Sequence, residues 1–419
     1  MAKEQQTPDA SFASRDSAER VMLPQDFITL MRSHLNEVDA DALLDGLQQP
    51  PTIAVRFNPR KAAQLTLNRE QLGDPVPWCP DAYYLSERKA FTFDPLFHAG
   101  VYYVQDASSM YLAEMLRKYL GDDGKQPIAA LDLCAAPGGK STLLAAHLPE
   151  RSLLVSNEPI RKRASVLAEN MLKWGYPNCY VTQNYPSDFS HLHDAFHLIL
   201  TDVPCSGEGM FRKDATAIRE WSLENVRQCV ERQRDILTNI VPTLKPGGLL
   251  IYSTCTFNRY EDEDQVRWLM SEYGFQLLEE RHFFPGRDRG EGLYMAALRK
   301  PGEAETVSLR SLKTLNVIAH TADCDSPLLP QPHFRGDESQ NDVSMAESQL
   351  DLSYSQAISY LRREALHIPA PRGFVAVTYR GVPLGLAKSV GTRLNNLYPQ
   401  EWRIRTTYNP TEPLPDFFC

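Results

Sequence analysis

The fold of this chain is decided by residues 132–141, whose sequence is DLCAAPGGKS. An apolar run at residues 128–133 predicts a buried strand before the turn, and Leu143, Leu144 and Leu148 predict the apolar face of a helix after it. A strand, a glycine turn and a helix start form a ligand-binding corner in α/β sheets, because backbone N–H groups point outward there and glycine lets a cofactor approach closely. The stretch therefore predicts a cofactor site at the end of one strand.

The sequence around this stretch alternates strictly between strand and helix patterns. Further strands are predicted at Leu153–Val155, Cys179–Thr182, Phe196–Val203 and Leu249–Ser253, with helices at Arg161–Trp174 and Leu223–Leu244. Such alternation is typical of a mostly parallel sheet with helices on both faces, whose binding sites lie at the carboxyl ends of the strands. The predicted fold class is therefore α/β.

At 419 residues the chain is long enough for two or three domains. Changes in pattern divide it into a flexible leader (1–20), an N-terminal α+β module (21–105), the α/β domain (106–300), a linker or small irregular module (301–352), and a C-terminal β module (353–419). The N-terminal module is predicted to begin with one helix at Pro24–Leu47 and a strand at Ile53–Asn58.

The composition restricts the class of protein. The chain has 44 Lys+Arg and 53 Asp+Glu, a net charge of −9, which argues against a wholly basic nucleic-acid coat protein but allows a local basic groove. No apolar run reaches the roughly 18 to 20 residues that a membrane span needs, and residues 1–20 lack a signal-peptide core. The eight cysteines never occur as C-x-x-C, so we predict neither a metal site nor a disulfide framework. We expect a cytoplasmic protein that does not contact a membrane.

Two kinds of ligand compete for the glycine turn. An ATP P-loop, G-x-x-x-x-G-K-[ST], matches at residues 139–141, but Cys134 stands where its first glycine is needed. The second predicted strand ends near Glu158, and an acid there suits the ribose hydroxyls of a nucleoside. Both observations favour an adenosine-type ligand over ATP phosphates. Three consecutive small residues before Lys140 are also unusual for a turn that has only a structural role.

Two cysteines follow predicted strands at the same edge of the sheet. Cys205 comes after the strand that ends near Asp202, and Cys255 comes after the next strand along the chain. A lone cysteine is usually a buried small hydrophobe, but two thiols in polar, turn-like contexts over one cleft indicate function. The other cysteines are interpreted as structural: Cys79, Cys134, Cys179, Cys229, Cys324 and Cys419.

Four segments together resemble one family of enzymes. They are DLCAAPGGKS (132–141), Glu158, DVPCSGEG (202–209) and KPGGLLIYSTCT (245–256). As a set they resemble the Nol/Nop/Sun-type RNA 5-methylcytosine methyltransferases, and residues 383–405 are similar to the PUA-like tail of the bacterial ribosomal small-subunit RNA methyltransferase F group. The resemblance implies a Rossmann-like core, S-adenosyl-L-methionine as cofactor, and methyl transfer to carbon 5 of a cytosine in ribosomal RNA.

The resemblance also implies roles for three residues. Carbon 5 of cytosine is too weak a nucleophile to take a methyl group unaided, so a thiolate first adds at carbon 6. By position, Cys255 matches the family's nucleophile and Cys205 matches the second cysteine, which is needed for product release. Asp202 is expected to hydrogen-bond the cytosine edge. Because a free thiol has a pKa of about 8.5, Cys255 is expected to need a nearby cation, and the target base must be flipped out of its stack.

Cofactor contacts are implied at the ends of several strands. The loop contacts are Cys134, Ala135, Ala136, Pro137, Gly138, Gly139 and Lys140. Glu158 is expected to accept the ribose hydroxyls, and Asp202 to lie beside the cofactor as well as the base. The family has an acid after the third strand, where this chain has Asn184, with Asp188 as the alternative. Arg163 opens the helix that follows Glu158, and a surface salt bridge is at least as good an interpretation of it as a cofactor contact.

Basic and polar residues on either side of the α/β domain are candidates for RNA contact. Arg56 and Asn58 lie on the N-terminal strand, and Arg212 and Lys213 follow the catalytic loop. The C-terminal module adds a basic, aromatic set: Lys388, Arg393, Tyr398, Trp402, Arg403 and Arg405, with Trp402 interpreted as core. We expect a monomer that acts on small-subunit ribosomal RNA. The alternatives are a tRNA cytosine-5 methyltransferase and a non-catalytic RNA-binding assembly factor, and the retained thiols argue against the latter.

Overall fold

A computed structural model describes residues 21–120, 126–303, 314–321, 346–406, 408, 410 and 413–419. The predicted leader at residues 1–20, Cys324 and most of the predicted linker lie outside these ranges. Within them, none of the helices is long and apolar enough to cross a bilayer.

The N-terminal module combines a helical hairpin with a small antiparallel sheet of order β2-β1-β3. Its elements are α1 (Gln25–His34), α2 (Glu37–Gly46), β1 (Ile53–Phe57), α3 (Pro59–Ala62), β2 (Ala82–Leu85), α4 (Pro95–His98) and β3 (Tyr102–Val104). The single helix predicted at Pro24–Leu47 is therefore wrong. Asn36 has an extended backbone and its side chain accepts the N–H of Asp39, so it ends α1 and caps α2.

The central domain has an eight-stranded sheet of order β11-β6-β5-β4-β7-β8-β10-β9. Its helices are α5 (Tyr111–Tyr119), α6 (Gly139–His147), α7 (Arg161–Trp174), α8 (Ala215–Glu220), α9 (Leu223–Ile240) and α10 (Glu263–Tyr273). Its strands are β4 (Ala129–Asp132), β5 (Leu153–Asn157), β6 (Cys179–Thr182), β7 (Phe196–Asp202), β8 (Leu244–Thr254), β9 (Gln276–Phe283), β10 (Leu293–Arg299) and β11 (Val317–His320).

Strands β4 to β8 are parallel to one another and β9 to β11 are antiparallel to their neighbours. The parallel strands are apolar on both faces because helices cover both. Ala130 faces a core shared with Leu143 of α6 and Leu167 of α7, whereas Leu131 faces a core shared with Leu237 of α9. This confirms the predicted α/β class. The neighbours β4, β7 and β8 bring their carboxyl ends, which carry the glycine turn and both thiols, to one edge.

The predicted linker contributes two strands that the sequence pattern did not reveal. Val317–His320 forms β11 and pairs with β6 at the edge of the central sheet. Ser348–Asp351 forms β12 and pairs in parallel with β13 of the C-terminal sheet. A module boundary at residue 353 is therefore too late for this sheet.

The C-terminal module has a four-stranded sheet of order β12-β13-β14-β15. Its remaining elements are α11 (Tyr354–Leu361), β13 (Gly373–Tyr379), β14 (Val382–Ser389) and β15 (Leu394–Asn396). It shares one apolar core with the N-terminal module. Residues 413–419 cross back to that module, where the Phe57 ring lies 5.2 Å from that of Phe418 and the Cys419 N–H donates to the Thr66 carbonyl at 2.9 Å.

Candidate active site

The glycine turn is held from outside by helix α7. Gly138 has a positive φ of 114°, and a Cβ there would lie 3.2 Å from the Leu167 side chain, so the position favours glycine. The Asn170 amide donates to the Pro137 carbonyl at 2.8 Å, and Arg163 donates to the Ala136 carbonyl at 3.1 Å. Both bonds tie the turn to α7, and the cofactor contacts of this loop stay a prediction.

A buried acid lies beneath the turn. Asp132 ends β4, is fully buried, and accepts a hydrogen bond from the Ser141 hydroxyl at 2.7 Å through one oxygen. Its other oxygen has no partner among the described residues. Burial raises the pKa of Asp132 to about 7, although the Ser141 bond works against that rise. An unpartnered buried acceptor under a glycine turn fits a ligand that brings hydrogen-bond donors and positive charge to this corner.

Glu158 lies at the end of β5, as predicted, but it is only 1% exposed. It accepts the N–H of Ile160 at 3.0 Å and pairs with Arg163 at 3.3 Å. Arg163 thus is the salt-bridge partner that one interpretation expected, and its guanidinium also reaches the cofactor loop. Since it links Glu158 to that loop, the acid and the turn form one site.

The predicted third cofactor contact is engaged elsewhere. Asn184 exchanges hydrogen bonds with the backbone of Asn316, which precedes the unpredicted strand β11. The alternative, Asp188, accepts the N–H of Tyr185 at 2.8 Å. To contact a cofactor, the Asn184 amide or the Asp188 carboxylate would have to bind it in addition to these protein partners. This contact therefore stays a prediction.

The two thiols meet. The Sγ atoms of Cys205 and Cys255 are 3.0 Å apart, because β7 and β8 are adjacent and Asp202 pairs in register with Ser253. The hydrogen bond with Cys255 raises the pKa of Cys205 well above its ordinary value, and burial adds to the effect. The raised pKa favours the protonated form of Cys205, whose S–H can donate toward the sulfur of Cys255.

Asp202 is bound on both sides. Its Oδ2 lies 2.7 Å from the Lys140 ammonium, and its Oδ1 accepts the Ser253 hydroxyl at 2.5 Å. Burial lowers the pKa of Lys140, but Asp202, Asp132 and the sulfur of Cys255 outweigh burial and raise it. Lys140 is therefore a candidate for the cation that was expected near Cys255. It also connects the cofactor loop to the catalytic strands, a link between distant segments that no local pattern reveals.

Acids that sequence analysis missed support the segment around Cys255. One oxygen of Asp262 accepts the hydroxyls of Thr254 and Thr256, the residues on either side of that cysteine. Burial raises the pKa of Asp262 well above its ordinary value. The sequence signal for these contacts is the acidic run at residues 261–264, a few positions after Cys255.

Helix α1 forms an outer wall of the site. The Phe27 ring lies 5.0 Å from Phe211 and 5.5 Å from Trp221, and the His34 ring lies 4.9 Å from Tyr260. These partners belong to the loops that follow the two thiols. The N-terminal hairpin therefore packs on the catalytic loops instead of standing apart from them.

Three of the four residues predicted near RNA in the first two modules are buried, which argues against phosphate contact. Arg56 is 1% exposed and donates to Gln105, Gly139 and Thr142. Because its guanidinium supports the first turn of α6, its role is structural.

Asn58 and Arg212 follow the same pattern. The Asn58 amide donates to the carbonyls of Gly100 and Trp174, and the buried Arg212 pairs with Glu291 at 2.8 Å. Lys213 is partly exposed and lies 3.7 Å from Glu291, so it stays a predicted RNA contact.

The C-terminal basic set divides in the same way. Lys388, Arg393, Arg403 and Arg405 are exposed and remain predicted RNA contacts. Tyr398 is fully buried. Trp402 is half-buried under the Lys173 ammonium, 5.3 Å from its ring centre, as expected for a core position.

The Rossmann-like sheet, the glycine turn and the acid after the second parallel strand define a methyltransferase that uses S-adenosyl-L-methionine. Residues 123–299 match the family described as 16S rRNA methyltransferase RsmB/F, residues 23–107 the N-terminal domain of 16S rRNA methyltransferase RsmF, and residues 347–404 the methyltransferase RsmF PUA domain. The chain belongs to this RsmB/F family, which confirms the predicted resemblance, fold class and cofactor.

Relatives and solved structures agree with this assignment. The chain is 31% identical to ribosomal RNA small subunit methyltransferase F of Cronobacter sakazakii and 30% identical to that of an Enterobacter species, covering 91% of this chain and 96% of each relative. A methyltransferase homolog protein from Pyrococcus horikoshii has a TM-score of 0.56 at 24% identity, covering 66% of this chain and 95% of that one. NSun6 from P. horikoshii, solved with SFG, has a TM-score of 0.54 at 18% identity, covering 67% and 99%. These two structures share the fold.

Proposed function

We propose that this protein methylates carbon 5 of a cytosine in small-subunit ribosomal RNA, through a covalent bond between Cys255 and carbon 6. The observation that carries the proposal is the 3.0 Å separation of two thiols at the ends of adjacent parallel strands, beside a paired lysine and aspartate. The ribosomal substrate is supported by the names of the full-length relatives. They favour it over tRNA, and the thiol pair favours an enzyme over a non-catalytic assembly factor.

The residues that would hold the cofactor are those that the turn brings together. The loop 134–140 and the Glu158 carboxylate would contact it, with Asp132 below. When bound, S-adenosyl-L-methionine supplies an electrophilic methyl group. Asp202, held by Lys140 and Ser253, would accept a hydrogen bond from the cytosine edge.

The attack begins at Cys255. Lys140 would stabilise a Cys255 thiolate by charge, and the Cys205 S–H would donate to its sulfur and orient it. The thiolate forms a bond to carbon 6, and the electron pair displaced from the carbon 5–carbon 6 double bond makes carbon 5 nucleophilic. Carbon 5 then gains the methyl group while it still carries its proton.

Release requires a base, and the same geometry supplies one. Once Cys255 is bonded to carbon, it no longer accepts the Cys205 proton or bears charge, so the main cause of the raised pKa of Cys205 is gone. Cys205 can then lose its proton to solvent and, as a thiolate, take the proton from carbon 5. The double bond re-forms, the carbon 6–sulfur bond breaks, and Cys255 leaves as a thiolate.

The roles are tested by two variants that must fail differently. Cys255→Ala should bind RNA and cofactor but form neither adduct nor product. Cys205→Ala should attack and methylate, then accumulate an RNA-linked protein that survives denaturing electrophoresis, because no base removes the carbon 5 proton. Cys229→Ala, a buried cysteine of α9, is the control and should behave as wild type. An adduct in Cys255→Ala and none in Cys205→Ala would reverse the roles.

The substrate is tested separately. Bisulfite sequencing of total RNA from a strain that lacks the gene should show one small-subunit cytosine losing its methyl group. Loss confined to tRNA would contradict the ribosomal assignment. Since the thiols, the lysine and the cofactor loop all come from one chain, we also propose that the protein acts as a monomer, in the cytoplasm where ribosomes assemble.

A further inference from the structure

The two thiols lie on separate loops that must be held together. The first thiol segment, residues 203–210, follows β7 and carries Cys205. The second thiol segment, residues 255–262, follows β8 and carries Cys255. Sheet pairing stops at Asp202 and Thr254, before either cysteine. Other contacts must therefore set the positions of the sulfur atoms.

Each thiol segment sends one buried glutamate to the backbone of the other. Glu208, on the first segment, is 0% exposed and accepts the N–H of Phe257 at 2.8 Å. Glu261, on the second segment, is also 0% exposed and accepts the N–H of Ser206 at 2.9 Å. These N–H groups lie two residues after Cys255 and one residue after Cys205. The exchange is reciprocal.

Asn258 and Gln233 join the two glutamates to the rest of the site. The Asn258 amide donates to Glu208 at 2.9 Å and to Glu261 at 2.8 Å, so one side chain bridges both carboxylates. The Gln233 amide, from α9, donates to Glu261 at 2.8 Å and to the Pro204 carbonyl at 3.1 Å. Glu261 is thus tied to the backbone on both sides of Cys205.

A backbone contact closes the same gap. The N–H of Gly209 donates to the carbonyl of Cys255 at 2.8 Å. A Cβ at Gly209 would lie 3.0 Å from that oxygen and 2.6 Å from the Gly292 carbonyl, so only glycine lets the segments approach this closely. A buried hydrogen-bonded network is rigid when its members are satisfied.

We propose that Glu208 and Glu261 are positioning residues that form a reciprocal clasp between the thiol segments and thereby set the distance between Cys205 and Cys255. Neither glutamate needs to touch the substrate. Glu208 holds the segment of the attacking cysteine, and Glu261 holds the segment of the releasing cysteine. The second half of this statement depends on the proposed roles of the thiols, whereas the clasp itself does not.

The clasp can be measured without RNA. Diamide oxidises two thiols to a disulfide only when they meet, and it takes up the two electrons and two protons that they lose. The rate of the Cys205–Cys255 disulfide, followed by mass spectrometry of the linking peptides, therefore reports how often the sulfur atoms are in contact. Glu208→Gln and Glu261→Gln should each slow it about tenfold, since each replaces a carboxylate oxygen that accepts hydrogen bonds with an NH2 group that cannot accept them.

The matched control is Glu263→Gln. Glu263 lies in the first turn of α10, next to the clasp, and pairs with His282 at 3.0 Å, but it has no hydrogen bond to either thiol segment in the part of the chain described. It should oxidise at the wild-type rate. Asn258→Ala provides a second variant that keeps both carboxylates, so a failure of one glutamate variant to fold would not remove the test. Melting temperatures identify folded variants.

A second measurement distinguishes a positioning role of each glutamate from a general loss of structure. With RNA and cofactor, Glu261→Gln should accumulate adduct in an otherwise wild-type protein, as a partial copy of Cys205→Ala. Glu208→Gln should instead slow adduct formation when it is combined with Cys205→Ala. Folded variants that oxidise at the wild-type rate would overturn the clasp. Slowed oxidation in a protein that forms no RNA adduct with any variant would support the clasp and reject the proposed function.

Discussion

Replacing Lys140 with methionine should slow the first covalent step while the fold survives. Methionine keeps most of the side-chain length and removes the charge that faces Asp202 at 2.7 Å. At an effective dielectric constant of 20, two charges at that distance attract by about 6 kcal/mol. The Asp202 side chain is 34% exposed and that of Lys140 is 13% exposed, so solvent screens much of this energy. We expect a net loss of about 1.5 to 3 kcal/mol, which corresponds to a rate about 10 to 150 times lower.

Two measurements check this expectation. Adduct formation is followed under single-turnover conditions in the Cys205→Ala background, and alkylation of Cys255 by iodoacetamide at neutral pH is followed without RNA. Lys173→Met is the control, since Lys173 is a partly buried lysine of α7 that pairs with Glu169 at 2.5 Å and has no hydrogen bond or ion pair with either thiol segment among the described residues. A folded Lys140→Met protein that forms adduct and alkylates at the parent rates would refute the idea that this lysine activates Cys255.

Three further changes have defined outcomes. Glu158→Ala should weaken cofactor binding by about 1.5 to 3 kcal/mol, because the ribose hydroxyls lose a charged acceptor; unchanged affinity by calorimetry in a folded variant would remove this role. Arg56→Met should lower the free energy of unfolding by roughly 1.5 to 3 kcal/mol in urea, since three buried hydrogen bonds are lost, while the exposed neighbour Arg60→Met should not. The pKa of Asp132 is raised to about 7 in the folded protein from 3.8, so the stability that the protonated carboxyl contributes is complete below pH 4 and is lost as pH rises through 7, on the order of 4 kcal/mol. The melting temperature should therefore fall between pH 5 and pH 8 by less in Asp132→Asn than in wild type, and equal falls would contradict this pKa.

The central sheet and the thiol pair could be predicted because their signals are local. Strands β4, β7 and β8 each contain an apolar run that is followed by a short polar motif. The order of strands in such sheets then places Cys205 beside Cys255. Strand β11 gave no comparable signal, since it has four residues, none of them fully buried, and pairs only at the edge.

Roles that depend on distant partners could not be predicted. Arg56 is a residue type that often binds RNA phosphates. Only the fold shows that its guanidinium already donates hydrogen bonds to the Gly139 carbonyl and the Thr142 hydroxyl. Glu208 lies inside a recognised motif and Glu261 lies five residues after one, but their acceptor atoms bind residues about fifty positions away in sequence. The break between α1 and α2 is different, because Asn36 followed three residues later by an acid is a capping pattern that is legible in the sequence.

The return of residues 413–419 to the N-terminal module affects how the protein is made. These residues are translated after every other described part of the chain, yet the Phe57 ring packs against Phe417 and Phe418. During synthesis the N-terminal sheet therefore leaves the ribosome with one apolar face uncovered, and contacts of such long sequence separation form slowly. The part that is synthesised early is completed last, and until then its apolar face is open to aggregation.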